Sequence, residues 1–284
     1  MEWHSGRFLT KDGRGLTYRR MGTGPVLVCH PGGPGFSPIY LGDLAGLWDR
    51  HTLVILNPRG VGASDRPADR SAYRLDDYVS DLEELRQHLG LERMLLLGYS
   101  HGGLVAQAYA SDYPGRVARL VLAVTLARFG PEQEAATQKA KEKRSGQPWF
   151  EEANAAGEDD SDAATDEQVR DQTFRGMPFN FARFGAAEAT YLDTFRSEPI
   201  TGDAQRAFGK ELPGLDLRGR LGDITAPTLV ITGEDDFICG PVCAAEISAA
   251  IPGSREVIVG NAGHFVVFEQ RQAFHDEVAD FLSA

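Results

Sequence analysis

The chain has only three cysteines, Cys29, Cys239 and Cys243, in 284 residues. A count this low and odd argues against a disulfide framework and suits a reducing compartment. Cys239 and Cys243 stand one helical turn apart without an accompanying His/Cys cluster, so no metal site is expected. No uninterrupted apolar run approaches bilayer length. The opening MEWHSGRFLT has neither a basic start nor an apolar core, so it does not read as a signal peptide. Basic residues are outnumbered, 29 Lys and Arg against 41 Asp and Glu, for a net charge of −12. That balance argues against nucleic acid and anionic membrane as partners. No internal repeat is evident. A soluble, cytoplasmic protein is expected, and its oligomeric state is not legible.

Against these absences stands an ordinary globular composition, 42% hydrophobic and 25% charged, on a chain long enough to bury a core of its own. Short continuous apolar runs recur: PVLVCH (25–30), HTLVIL (51–56), RMLLLGY (93–99), VARLVLAVT (117–125), PTLVIT (227–232) and EVIV (256–259). Each has the character of a strand buried on both faces. GLTYRR (15–20) alternates as an edge strand does. Between the runs lie helical patterns. In 75–89, Leu75, Tyr78, Val79, Leu82, Leu85 and Leu89 share one face, with Asp76, Asp77 and Asp81 near the start, where the helix dipole favours them. A helix is expected from Ser100 to about Tyr113, and another over 265–282. This alternation indicates a mostly parallel, doubly wound α/β sheet. From 128 to 216 no strand-like run occurs. The segment is rich in Ala, Glu, Gln and Phe and is expected to be a helical cap inserted after the sixth strand, with residues 1–127 and 217–284 forming the core domain. Its acidic run, GEDDSDAATDE (157–167), reads as a solvated loop or helix start.

Chemistry enters at Gly98-Tyr99-Ser100-His101-Gly102, a G-x-S-x-G placed between a buried strand and a helix. Glycines on both sides let strand and helix approach, and the hydroxyl then stands above the sheet at a helix N-terminus. A serine N-cap explains the serine but not the glycines. A serine nucleophile needs a base. Of the seven histidines, His264 is favoured because it stands just after the last strand, in Gly260-Asn261-Ala262-Gly263-His264, positioned as Ser100 is. The base needs an orienting carboxylate. Strand PTLVIT leads into Gly233-Glu234-Asp235-Asp236, and Asp236 is favoured over Glu234 and Asp235. An oxyanion calls for two N–H donors. One is the N–H of His101. The other lies in His30-Pro31-Gly32-Gly33-Pro34-Gly35, where the prolines have no N–H, leaving Gly33 or, as the alternate, Gly32. No cofactor is implied.

These signals, HPGGPG, NPRGVGAS, GYSHGG and the pair GEDD and NAGH, stand in the order of the α/β-hydrolase superfamily. Within it, PGGPG and GEDDFICGP resemble the corresponding loops of the prolyl iminopeptidases. Where that group has a histidine before the glycine pair, this chain has Pro31; Asn57 replaces an aspartate, and His101 a bulky aromatic. The resemblance implies a serine hydrolase that releases an N-terminal proline or similar residue from a small peptide or amide. A carboxylesterase, a lactonase or a biosynthetic-pathway hydrolase of small apolar acyl groups is the alternative. Outside enzymes, the alternative is a ligand-binding receptor on the same fold. In that group acidic cap residues help hold the substrate's α-ammonium. By region, Glu188, Glu198 and Glu211 are the candidates, with Tyr99 beside the serine as a further substrate contact. Phe174, Phe179, Phe181, Phe184, Tyr191, Phe195 and Phe208 are expected mainly to pack the cap, with one or two lining the pocket.

Overall fold

The computed structural model describes residues 2–156 and 164–283. Eight strands form one sheet: β1 (His4–Leu9), β2 (Gly15–Met21), β3 (Val26–His30), β4 (Thr52–Asn57), β5 (Met94–Tyr99), β6 (Val117–Ala123), β7 (Thr228–Gly233) and β8 (Arg255–Val259). Their order is β1-β2-β4-β3-β5-β6-β7-β8. The pairs β1–β2 and β2–β4 are antiparallel and the rest parallel. GLTYRR is therefore not the edge. The polar N-terminal strand β1, which no apolar run announced, pairs outside it.

The parallel strands alternate their apolar side chains between two layers. Val28, Val54, Leu96, Leu122 and Val230 point to one face, and Leu27, Leu53, Leu97, Val121 and Leu229 to the other. On the first face, α1 (Leu75–His88) contributes Leu75, Tyr78, Val79, Leu82 and Leu85, joined by α2 (His101–Asp112). Each such side chain, fully buried, stabilises the fold by about 1.5–3 kcal/mol. Asp81 departs from the dipole reading. It is 1% exposed and bound through both carboxylate oxygens to Arg59, at 2.8 Å each. That pair fastens the NPRGVGAS turn to α1.

Between β6 and β7 the chain runs through α3 (Pro131–Glu142), α4 (Phe150–Ala155), α5 (Asp166–Gly176), α6 (Ala186–Asp193) and α7 (Gly202–Glu211). An isolated bridge pairs Arg128 with Asp216 at the neck of this insert. Of the acidic run, residues 157–163 lie outside the described residues. After a short turn, α8 (Arg218–Leu221), come β7, α9 (Pro241–Ala250) and β8. The closing helix is broken in two, α10 (Val266–Glu269) and α11 (Arg271–Ser283), because Gln270 leaves the helical region at φ −131°, ψ 54°. Phe274, Val278, Phe281 and Leu282 of α11 cover the second face. Among the described residues, no helix is long and apolar enough to cross a membrane.

Candidate active site

The strand order reverses at β3. Its successor β4 lies on one side and β5 on the other, with His30 opposite Gly98. Such a switch point opens a crevice beyond the strand ends, where open α/β sheets take their ligands. It sets loop 31–35, after β3, beside the turn after β5. Ser100 occupies that turn with φ 56°, ψ −120°, a conformation that a residue with a side chain adopts only under strain. The approach of helix to loop is close. A Cβ on Gly102 would lie 2.1 Å from the carbonyl oxygen of His30, so only glycine fits there. Thr125 Oγ1 donates to the Ser100 carbonyl at 2.8 Å and holds the turn from β6.

The loops after β7 and β8 complete the arrangement. His264 Nε2 is 2.9 Å from Ser100 Oγ, and His264 Nδ1 is 2.8 Å from Asp236 Oδ2. The other oxygen of Asp236 accepts the N–H groups of Ile238 and Cys239, at 3.0 Å each. Glu234 is exposed and Asp235 half-buried, and neither has a bond to His264. The Asp235 carbonyl instead accepts from Arg144 of the insert at 2.8 Å.

Of the two candidate glycines, Gly32 donates its N–H to Tyr40 Oη at 2.8 Å. Gly33 lines the cavity over Ser100 and has φ 63°. The N–H of His101, in the first turn of α2, lies beyond the reach of intrahelical acceptors. The His101 ring is buried between Tyr78 and Phe208. Burial holds its pKa down at about 3, so the ring is neutral at physiological pH. Burial likewise lowers His30, to about 4.

The cavity at Ser100 has a volume of about 280 Å³. Its walls are Phe36, Leu104, Leu126, Met177, Phe195, Phe208, Leu212, Ile238 and Phe265, with Tyr40, Tyr99, Thr173, Asn180 and Cys239. Of the insert's aromatics, Phe195 and Phe208 line it. Among the described residues, no carboxylate lines the wall, and that of Asp236 stands behind His264. The three glutamates require correction. Glu188 caps its own helix, accepting the Gly185 N–H at 2.9 Å. Glu211 accepts the Leu75 N–H at 3.1 Å and lines a separate open groove of about 980 Å³ between α1 and α7. Glu198 is half-buried outside the cavity wall. All three were candidates by region alone, which does not say which residues face the cavity. Tyr99 does line the cavity, yet its hydroxyl is committed, donating to the His264 carbonyl at 2.5 Å.

Sequence reasoning missed Tyr40, Asn180, Arg144 and Glu269. Asn180 accepts the His264 N–H on its carbonyl at 2.6 Å. Nothing in the local sequence of the insert announces such backbone contacts. Glu269 carried a faint signal, a lone charge in the apolar stretch HFVVFEQ.

The alpha/beta hydrolase fold family matches residues 25–270, and the chain belongs to it. It is an α/β-hydrolase enzyme, similar in sequence to the proline iminopeptidases. The proline iminopeptidase of Lactobacillus delbrueckii subsp. lactis is 27% identical over 278 residues, covering 91% of this chain and 90% of that one. A hydrolase of Pseudomonas aeruginosa PA01 superposes with a TM-score of 0.76 at 28% identity, covering 99% of both chains. The enol-lactonase of Burkholderia xenovorans LB400 does so with a TM-score of 0.69 at 25% identity, covering 98% of this chain and 100% of that one.

Proposed function

We propose that the protein hydrolyses small, neutral, apolar acyl substrates, esters or lactones, through a Ser100–His264–Asp236 triad. The observation that carries this reading is the unbroken line of contacts from Asp236 through His264 to Ser100, ending at an apolar cavity. Ser100 Oγ attacks the substrate carbonyl carbon as its proton passes to His264 Nε2. Asp236 holds Nδ1–H and stabilises the imidazolium. The N–H groups of Gly33 and His101 receive the negative charge that develops on the carbonyl oxygen. His264 then gives its proton to the leaving oxygen, and the acyl group stays on Ser100. Water, deprotonated by His264, releases the acid and restores the serine. The helical insert, residues 128–216, acts as the cap that closes the cavity.

Electrostatics puts the ester or lactone ahead of the prolyl peptide. A substrate with a free α-ammonium would bring a charge into a wall to which the described residues contribute no carboxylate. An unpaired buried ion costs on the order of several kcal/mol. The prolyl iminopeptidase reading is kept second because relatives of that name align over most of the chain. The experiment is a rate comparison between p-nitrophenyl butyrate and a proline arylamide, with Ser100→Ala as the blank. Ester cleavage that vanishes in Ser100→Ala, with the arylamide inert, is expected. Efficient arylamide cleavage would reverse the order of the two readings, and activity retained by Ser100→Ala would overturn the triad.

A further inference from the structure

We infer that Glu269 is the positioning residue that fixes His264 over Ser100, because its one carboxylate holds both the loop before the histidine and the insert beside it. Its Oε2 accepts the Gly263 N–H at 2.8 Å, and its Oε1 accepts the Ala182 N–H at 2.7 Å. The inserted backbone is seated directly on this loop. A Cβ on Gly263 would lie 2.4 Å from the Asn180 carbonyl oxygen and 2.8 Å from the Ala182 nitrogen. The backbone of His264 is held in both directions, its N–H by Asn180 and its carbonyl by the Tyr99 hydroxyl. Glu269 is the side chain that joins the two halves of this clamp. It touches neither Ser100 nor the imidazole, so it acts through the loop rather than in the reaction. The inference rests on the triad reading above.

The clamp needs the ionised carboxylate. Each of its two oxygens accepts one N–H, and both bonds are stronger to the charged carboxylate than to a protonated carboxyl, whose acceptor capacity is reduced. The surroundings oppose ionisation. Burial pushes the carboxyl up to about 7 against the two backbone bonds, and the charges of Glu188 on α6 and Asp236 after β7 push the same way. Arg144 at the end of α3, Tyr191 on α6 and Tyr99 on β5 also face it. A carboxyl raised in the fold above its unfolded value of 4.5 takes stability away as pH rises from there to about 7. The ionised form therefore serves the histidine loop while costing the fold. A residue that merely held the structure together would not separate the two.

The test uses the full chain with Glu269→Gln, which keeps shape and one acceptor but removes the charge and the second acceptor. Three readouts are taken at pH 8: turnover of p-nitrophenyl butyrate, the rate of Ser100 labelling by a fluorophosphonate, and Tm. We expect kcat and the labelling rate to fall by about ten- to a hundredfold, the cost of a misplaced catalytic group. KM should change little, and Tm should fall by only a few degrees, for one N–H loses its acceptor. Unchanged kcat overturns the inference, and so does a loss of kcat/KM carried by KM alone. Should the variant not fold, the wild-type pH profile decides. An acid limb of kcat/KM steeper than one proton is expected, and a single-proton limb overturns the inference. Ser100→Ala is run alongside: if it still labels, the triad reading itself has failed, which the Glu269→Gln data cannot mimic.

Discussion

The hydroxyl of Tyr40 accepts the N–H of Gly32 at 2.8 Å and so removes that donor from the loop facing Ser100. The next residue, Gly33, lines the cavity. Tyr40→Phe would leave the Gly32 N–H buried without a partner, at about 1–3 kcal/mol of stability. It should also loosen the loop proposed to carry the oxyanion donor. Urea unfolding and kcat on p-nitrophenyl butyrate are expected to fall together, and an unchanged kcat would show that this loop contributes no donor.

Asp236 can be separated from its acidic neighbours by rate. Asp236→Asn leaves the packing intact but presents the wrong hydrogen-bonding group to His264 Nδ1. A loss of about 10⁴-fold in kcat is expected, as for other orienting carboxylates. Glu234→Gln and Asp235→Asn should stay near wild type, since neither carboxylate bonds to His264. Comparable losses in all three would break the assignment.

Arg59 and Asp81 are each 1% exposed and face one another through two bonds of 2.8 Å. Asp81→Ala removes the buried partner of the guanidinium and leaves it the Asp77 carboxylate at 3.2 Å, so a loss at the lower end of about 3–5 kcal/mol is expected, read as a shift in the urea midpoint. Arg59 also donates to the carbonyls of Ala72 and Asp77, at 2.7 Å each. The damage should therefore extend to the 57–74 loop, visible as faster proteolysis there.

The cavity sets an acyl-chain preference. Each methylene buried against its apolar wall is worth about 0.8 kcal/mol, roughly fourfold in kcat/KM. From acetyl to butyryl p-nitrophenyl esters, kcat/KM is expected to climb in such steps, then drop once the chain outgrows the cavity of about 280 Å³. An ester with an α-ammonium should be slower than its neutral counterpart by at least about a hundredfold. A faster ammonium ester would point to an acidic partner beyond the described residues of the cavity wall.

The chemistry-bearing turns were legible in the sequence because each is local. A buried strand, a glycine-flanked serine and a helix follow one another within a few residues, and the same holds for GEDD and NAGH. The parallel sheet was legible for the same reason, since strands buried on both faces are continuous apolar runs. β1 was not legible, because HSGRFL is polar and takes its place by pairing with β2 rather than by burial. The inner face of the insert was hidden too. Its helices are short and polar on several sides, so periodicity does not say which side chains look into the cavity. Glu188 and Glu211 illustrate this, for both spend their carboxylates on helix N-termini. The bond of Glu269 to the Ala182 N–H spans 87 residues of chain, beyond any local pattern.

The central claim is that Ser100, activated by His264 and oriented through Asp236, carries the acyl group. The most direct test is mass spectrometry of the protein quenched during turnover of p-nitrophenyl butyrate, with peptide mapping. The account predicts a butyryl adduct on the peptide bearing Ser100, absent in Ser100→Ala and slow to form in His264→Ala. An adduct on another residue, or turnover without any adduct in the burst phase and undiminished in Ser100→Ala, would contradict it.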